Sequence, residues 1–177
     1  MKILISVLLF ASSFIFAQIG TSTRLGGENS KWTFGGSAGL GGSFGNGGGT
    51  NIYVTPRVGY LVSENFETGL AGNLSWNNSQ FVSSTIIGVG PFANYYFART
   101  AYISTQFQQY FISSKDKFSN NKYSTEESAL YLGGGYMQSL GNGIYMQIGA
   151  QYNVLYDAQT SIFNGGFVPN VGIVVGL

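Results

Sequence analysis

Two charged residues stand inside otherwise uncharged alternating runs. Arg57 lies in TPRVGYLV and Glu67 in FETGLAGNLSW, and the short turn Ser63-Glu64-Asn65 joins the runs. A guanidinium and a carboxylate on one side of neighbouring strands can neutralise each other in a dry interior, either within a filled polar network or as a gate across a narrow passage. The two positions are not directly opposite across the turn, so spacing alone does not dictate contact. Little other chemistry is on offer. The chain has no Cys and no His, so a disulfide framework, a thiol nucleophile and a Ser–His pair are excluded, and the commonest general base and metal ligand are missing. No catalytic, cofactor-binding or metal-ligating residue is assigned, and the chain is not expected to be an enzyme. Gly88-Val89-Gly90-Pro91-Phe92-Ala93 fits the loose spacing G-x-G-x-x-A, but a phosphate cradle needs a helix to begin there, and a strand continues instead. Asp116, Glu126, Glu127 and Asp157 show no cation-ligand spacing.

The elements that hold Arg57 and Glu67 have period two, which marks strands, and two such runs around a short turn make a hairpin. The same unit recurs along the chain. Strands are expected over about Lys31–Phe44, Thr55–Val62, Phe66–Trp76, Ser84–Phe97, Ala101–Ile112, Glu126–Gln138 and Ile144–Tyr156, with a last one through Pro169 to Leu177. Ser63–Asn65, Ala98–Thr100 and Ser139–Gly143 read as tight turns. Ser113–Thr125 reads as the longest loop, and its Lys115, Lys117, Phe118, Lys122 and Tyr123 are the candidates for outside contacts. Pro56, Pro91 and Pro169 occupy one frame of the repeat, with Leu132 in the fourth slot.

Composition limits what this β-domain can be. The 177 residues carry 8 Lys+Arg and 7 Asp+Glu, a net charge of +1, so no basic face for nucleic acid exists. Residues 1–17 read as a cleavable signal peptide: Lys2 gives the positive start, Ile3–Phe10 the apolar run, and Ala17 the cut before Gln18. Residues 18–30 read as a flexible leader and 31–177 as the domain. No other stretch is long and apolar enough for a transmembrane helix.

One face of each strand is apolar or aromatic. The other is Gly, Ser, Thr, Asn, Gln and Tyr, with Arg57 and Glu67 as its charges. A water-exposed sheet face would be scattered with Lys, Glu and Asp. An uncharged face rich in small residues suits the crowded lumen of a narrow barrel, with the apolar face toward lipid and every backbone group paired by closure. Trp32, Tyr60, Tyr95 and Tyr136 fall near the tight-turn end and Trp76, Tyr152 and Tyr156 near the loop end, where interfacial girdles belong.

The even strand count, the alternation, the short turns set against longer loops and the terminal VPNVGIVVGL resemble the small eight-stranded outer-membrane β-barrels of Gram-negative bacteria, the OmpA/OmpX type within the outer-membrane β-barrel domain family. Such barrels often end in an aromatic; this chain ends in Leu177. The resemblance implies an all-β, eight-stranded antiparallel up-and-down transmembrane barrel in the bacterial outer membrane. Its termini and tight turns would lie in the periplasm, and its partners would be outer-membrane lipid and the barrel-assembly machinery. The expected role is structural or adhesive, through loops and an interior largely plugged by side chains; the extracellular partner is open. A narrow porin-like channel and a secreted soluble β-barrel binding a hydrophobic ligand are the alternatives.

Overall fold

The computed structural model describes residues 30–42, 49–117, 121–163 and 165–177. The expected signal peptide, all of the expected leader but Ser30, and Phe118 lie outside the described residues. Eight strands follow in order: β1 (Trp32–Gly42), β2 (Gly49–Leu61), β3 (Phe66–Ser79), β4 (Val82–Phe97), β5 (Ala101–Asp116), β6 (Lys122–Gly141), β7 (Ile144–Asn153) and β8 (Phe167–Val175). Each pairs antiparallel with its neighbour in sequence, and β1 pairs with β8 to close an up-and-down barrel. Ala98 and Arg99 both take positive φ (47° and 55°), as do Asn142 and Gly143 (52° and 71°). Two successive residues of that kind give a hairpin turn whose twist matches the flanking strands.

The ladders run further toward the loop end than polarity suggests. Lys115, Lys122 and Tyr123 are strand residues, not loop residues: Lys115 pairs with Lys122 and Ser114 with Tyr123. Lys117 alone of the described contact candidates sits on the connection, where its Nζ donates to Asn78 Oδ1 (2.7 Å) and Ser79 O (2.6 Å). Polar residues mark where a strand meets water; they do not end its pairing. In the opposite direction, β7 stops at Asn153, three residues before the expected Tyr156. The Asn153 Oδ1 accepts from the backbone N–H of Leu130 and of Leu155 (3.1 Å each) and so replaces the next ladder bond.

The prolines explain a second irregularity. Pairing between β2 and β3 lapses between Val54↔Leu74 and Arg57↔Ala71, at Pro56. Pairing between β4 and β5 lapses between Val89↔Gln109 and Phe92↔Gln106, at Pro91. On β8, Pro169 pairs with Ala150 of β7, while the seam to β1 is confined to Phe34–Gly36 against Ile173–Val175. A proline has no N–H to donate. At Pro56 and Pro91 the gap falls toward the strand that follows around the barrel, whereas the β8 pairing to β1 already ends at Ile173, four residues from Pro169; β6, which carries no proline, pairs with β7 without a break from Tyr131 to Ser139.

The apolar face points out. Val58, Leu70, Val89, Ile148 and Ile173 are 43%, 61%, 51%, 46% and 49% exposed and do not converge on a common core. From Phe66 to Trp76 the outward row of β3 spans ten residues, about 33 Å along the strand and about 25 Å along the axis at the tilt usual for barrels. Between these levels some outward polar groups are paired: the Thr68 hydroxyl donates to Phe92 O (2.9 Å) and the Ser128 hydroxyl to Gln109 Oε1 (2.5 Å). Trp32 meets Tyr60 edge-on at 5.3 Å, and Tyr95 meets Phe97 at 5.0 Å, at the tight-turn end. Tyr136 is exposed at that same end; Trp76 and Tyr152 are exposed, and Tyr156 half-buried, at the other. A surface of this kind is made for lipid: water would face a belt of large apolar side chains far wider than soluble monomers tolerate.

Candidate functional site

The lumen divides into two halves. In the tight-turn half, Arg57 and Glu67 are brought together although they are offset in register, Arg57 pairing with Ala71 and Glu67 with Leu61. The long guanidinium side chain makes up the difference, and its Nη2 lies 3.5 Å from Glu67 Oε2. The Glu67 carboxylate is fully buried and accepts hydrogen bonds from the Thr33 hydroxyl, the Tyr96 hydroxyl and Asn94 Nδ2, the last at 2.9 Å. Arg57 lies over the Phe92 ring, 5.2 Å from its centroid, so its flat face is covered as well. Glycine creates the room. A Cβ at Gly59 would fall on the Glu67 carboxylate and the Thr33 hydroxyl.

Beside this network an apolar cluster fills the same end. Tyr96, Tyr102 and Met137 are buried there, with Leu61, Tyr145 and Leu177 packed against them. Gly176 has φ +97°, where a Cβ would be strained, and this turn in the chain precedes Leu177. A small void of about 50 Å³ adjoins Arg57, Asn94 and Gln147. Arg57 Nε, Asn94 Oδ1 and Gln147 Nε2 have no protein partner among the described residues, and a void of this size and polarity suits bound water.

The loop half is open by comparison. It contains a cavity of about 610 Å³ whose wall changes character around the barrel. On one side Ile86, Tyr110, Ile112 and Tyr131 form an apolar cluster, with the Tyr110 and Tyr131 hydroxyls 3.1 Å apart. Gly88 leaves the space that the Tyr110 ring occupies; a Cβ there would sit 2.6 Å from it. On the other side the wall is hydroxyl and carboxamide.

Sequence reasoning did not anticipate the connection between β7 and β8, which folds onto this cavity. Phe163 meets Tyr110 edge-on at 5.1 Å. The Glu127 carboxylate accepts from the Ser161 hydroxyl (2.6 Å) and from Ile162 N–H (2.9 Å), tying the connection to β6. The available signal was the inward Ile86 and Ile112, which interrupt the polar inner face of the loop half and need a cover. Glu127→Ala is therefore expected to raise the rate of proteolytic cutting between Asp157 and Phe163 in the folded, membrane-inserted protein, with no change at the other connections. An unchanged cutting rate would remove the tether.

No family model matches the chain, and no curated protein does either. Solved structures with a similar course include Neisserial surface protein A, at TM-score 0.49 and 10% identity over 81% of this chain and 95% of that one. The translocator domain of the autotransporter NalP from Neisseria meningitidis aligns at TM-score 0.39 and 11% identity, over 97% of this chain and 98% of that one. At these values neither likeness bears on function.

Proposed function

We propose that the chain is an integral outer-membrane β-barrel with a structural or adhesive role and a lumen closed to through-flow. The single observation that carries this reading is the pairing of an outward apolar belt with a lumen occupied, at the tight-turn end, by the Glu67 network and the Tyr96–Tyr102–Met137 cluster. Side chains that fill an eight-stranded barrel leave no aqueous channel. Residues 1–17 act as the export signal in this reading, and the assembly machinery inserts the barrel. Contacts outside the cell fall to the strand ends and connections that carry Lys115, Lys117, Lys122 and Tyr123. Among the described residues the lumen's ion pair has its carboxylate taken up by donors, and its role in this reading is structural.

Two measurements test it. Detergent-extracted protein is expected to migrate differently on a gel before and after boiling, as a closed barrel does until it unfolds. Inserted in a planar bilayer, it is expected to give no stepwise conductance. Recovery without detergent from the periplasm or medium would overturn the membrane reading, and regular conductance steps would replace the closed lumen with a narrow channel.

A further inference from the structure

We infer that the cavity in the loop half of the lumen is a binding site for a neutral saccharide. Its volume, about 610 Å³, lies within the range of small-molecule sites and has room for about two hexose units. Among the described residues none that lines it is charged. Asn73, Gln151 and Asn170 face into it from the polar wall and Gln106 from beside Tyr131, its cross-strand neighbour; among the described residues Asn73, Gln106 and Asn170 make no side-chain hydrogen bond. A carboxamide offers donors and an acceptor side by side, which matches the vicinal hydroxyls of a sugar ring. Opposite stand Ile86, Ile112, Tyr131 and Phe163, an apolar wall for the C–H face of a pyranose.

Other ligand classes fit less well. A purely apolar guest would bury three carboxamides with nothing to bond. An ionic guest fits less well: Arg57 and Glu67 are spent on each other in the adjoining half, and the Glu127 carboxylate at the edge is already taken up by Ser161 and Ile162. A neutral guest with one C–H face and a rim of hydroxyls satisfies both walls. Phe163 and the Glu127 tether place the β7–β8 connection at the edge of the site, where it contacts the guest from above the apolar wall. The proposal does not depend on whether the barrel conducts, so its failure and that of the closed lumen are separately visible.

The test is saturation-transfer NMR on the full barrel in lipid nanodiscs, with maltose, cellobiose and lactose as neutral probes, digalacturonate as the charged one and decanol as the apolar one. At least one neutral disaccharide is expected to receive saturation on its ring protons, and digalacturonate none above empty discs. The double substitution Asn73→Leu with Asn170→Leu is expected to weaken that binding about tenfold, the loss of two ordinary hydrogen bonds. Phe163→Ala, on a surface connection, should weaken it with little risk to folding, and both variants are checked by gel migration before boiling. Discs carrying digalactosyl diacylglycerol separate the two sources of such a sugar: displacement of the free disaccharide points to a lipid head group, and no displacement to a soluble glycan. No transfer to any neutral disaccharide, transfer that both variants leave intact, or decanol binding in preference to sugar would overturn the assignment.

Discussion

Glu67→Ala is expected to destabilise the folded barrel by about 3–5 kcal/mol, the loss seen when one partner of a buried ion pair is removed. The carboxylate is wholly buried and collects hydrogen bonds from Thr33, Tyr96 and Asn94 besides the Arg57 contact. Its removal leaves a guanidinium with no counter-charge and strips three donors of their acceptor at once. Arg57→Ala should cost less, because Glu67 retains three neutral donors. The double variant Arg57→Leu with Glu67→Leu is expected to recover only part of the loss: it removes the unpaired guanidinium, but Thr33, Tyr96 and Asn94 still lack their acceptor. Urea unfolding of the protein in lipid vesicles, followed by gel migration, reads all three. If Glu67→Ala and Arg57→Ala both keep the unfolding midpoint of the parent, the network contributes nothing and the lumen is held by the apolar cluster alone.

The strand phase that placed Arg57 and Glu67 on the inner face was legible because period two survives any tilt or twist of the sheet. So was the role of glycine: Gly59 beside Glu67 and Gly88 beside Tyr110 are small because a neighbour's side chain fills their space. The partners of Glu67 were not legible. Thr33 and Asn94 come from β1 and β4, and which inward residues meet across a lumen depends on the stagger of the closed barrel, which no single hairpin encodes. Strand ends were misplaced for another reason. Runs such as SSKD and KYSTEE look like loop because they are polar, yet they pair beyond the apolar belt, where strands carry water-facing side chains on both sides. The cavity and its cover were hidden because they require the β7–β8 connection to return onto Ile86 and Ile112, a long-range contact with no periodic trace. The proline frame was visible, and its meaning followed only once the ladder lapses at Pro56 and Pro91 were set beside the short β1–β8 seam.

Leu70→Arg should cost the lipid-inserted barrel about 2–4 kcal/mol, although the side chain it replaces touches little protein. Leu70 is 61% exposed and pairs with Val58 and Pro91, roughly midway between the levels of Phe66 and Trp76. On a water-soluble barrel an exposed leucine exchanged for arginine changes stability by no more than about 0.5 kcal/mol, because surface sites away from special features are tolerant. In hydrocarbon the guanidinium must be desolvated or must draw water inward, and near the midplane the interface is at its most distant. Depth supplies the control. Phe111→Arg, at the level where Glu126 already stands across from it, should cost about 0–1 kcal/mol, since the penalty fades toward the interface. Equal and small effects at both positions, measured by reversible unfolding in vesicles, would mean that water covers the belt. The direction of the apolar face would then need another partner to explain it. A large effect at Leu70 and a small one at Phe111 is the result expected of a depth-dependent solvent, provided that Phe111→Arg stays mild when Glu126→Gln removes its cross-strand carboxylate.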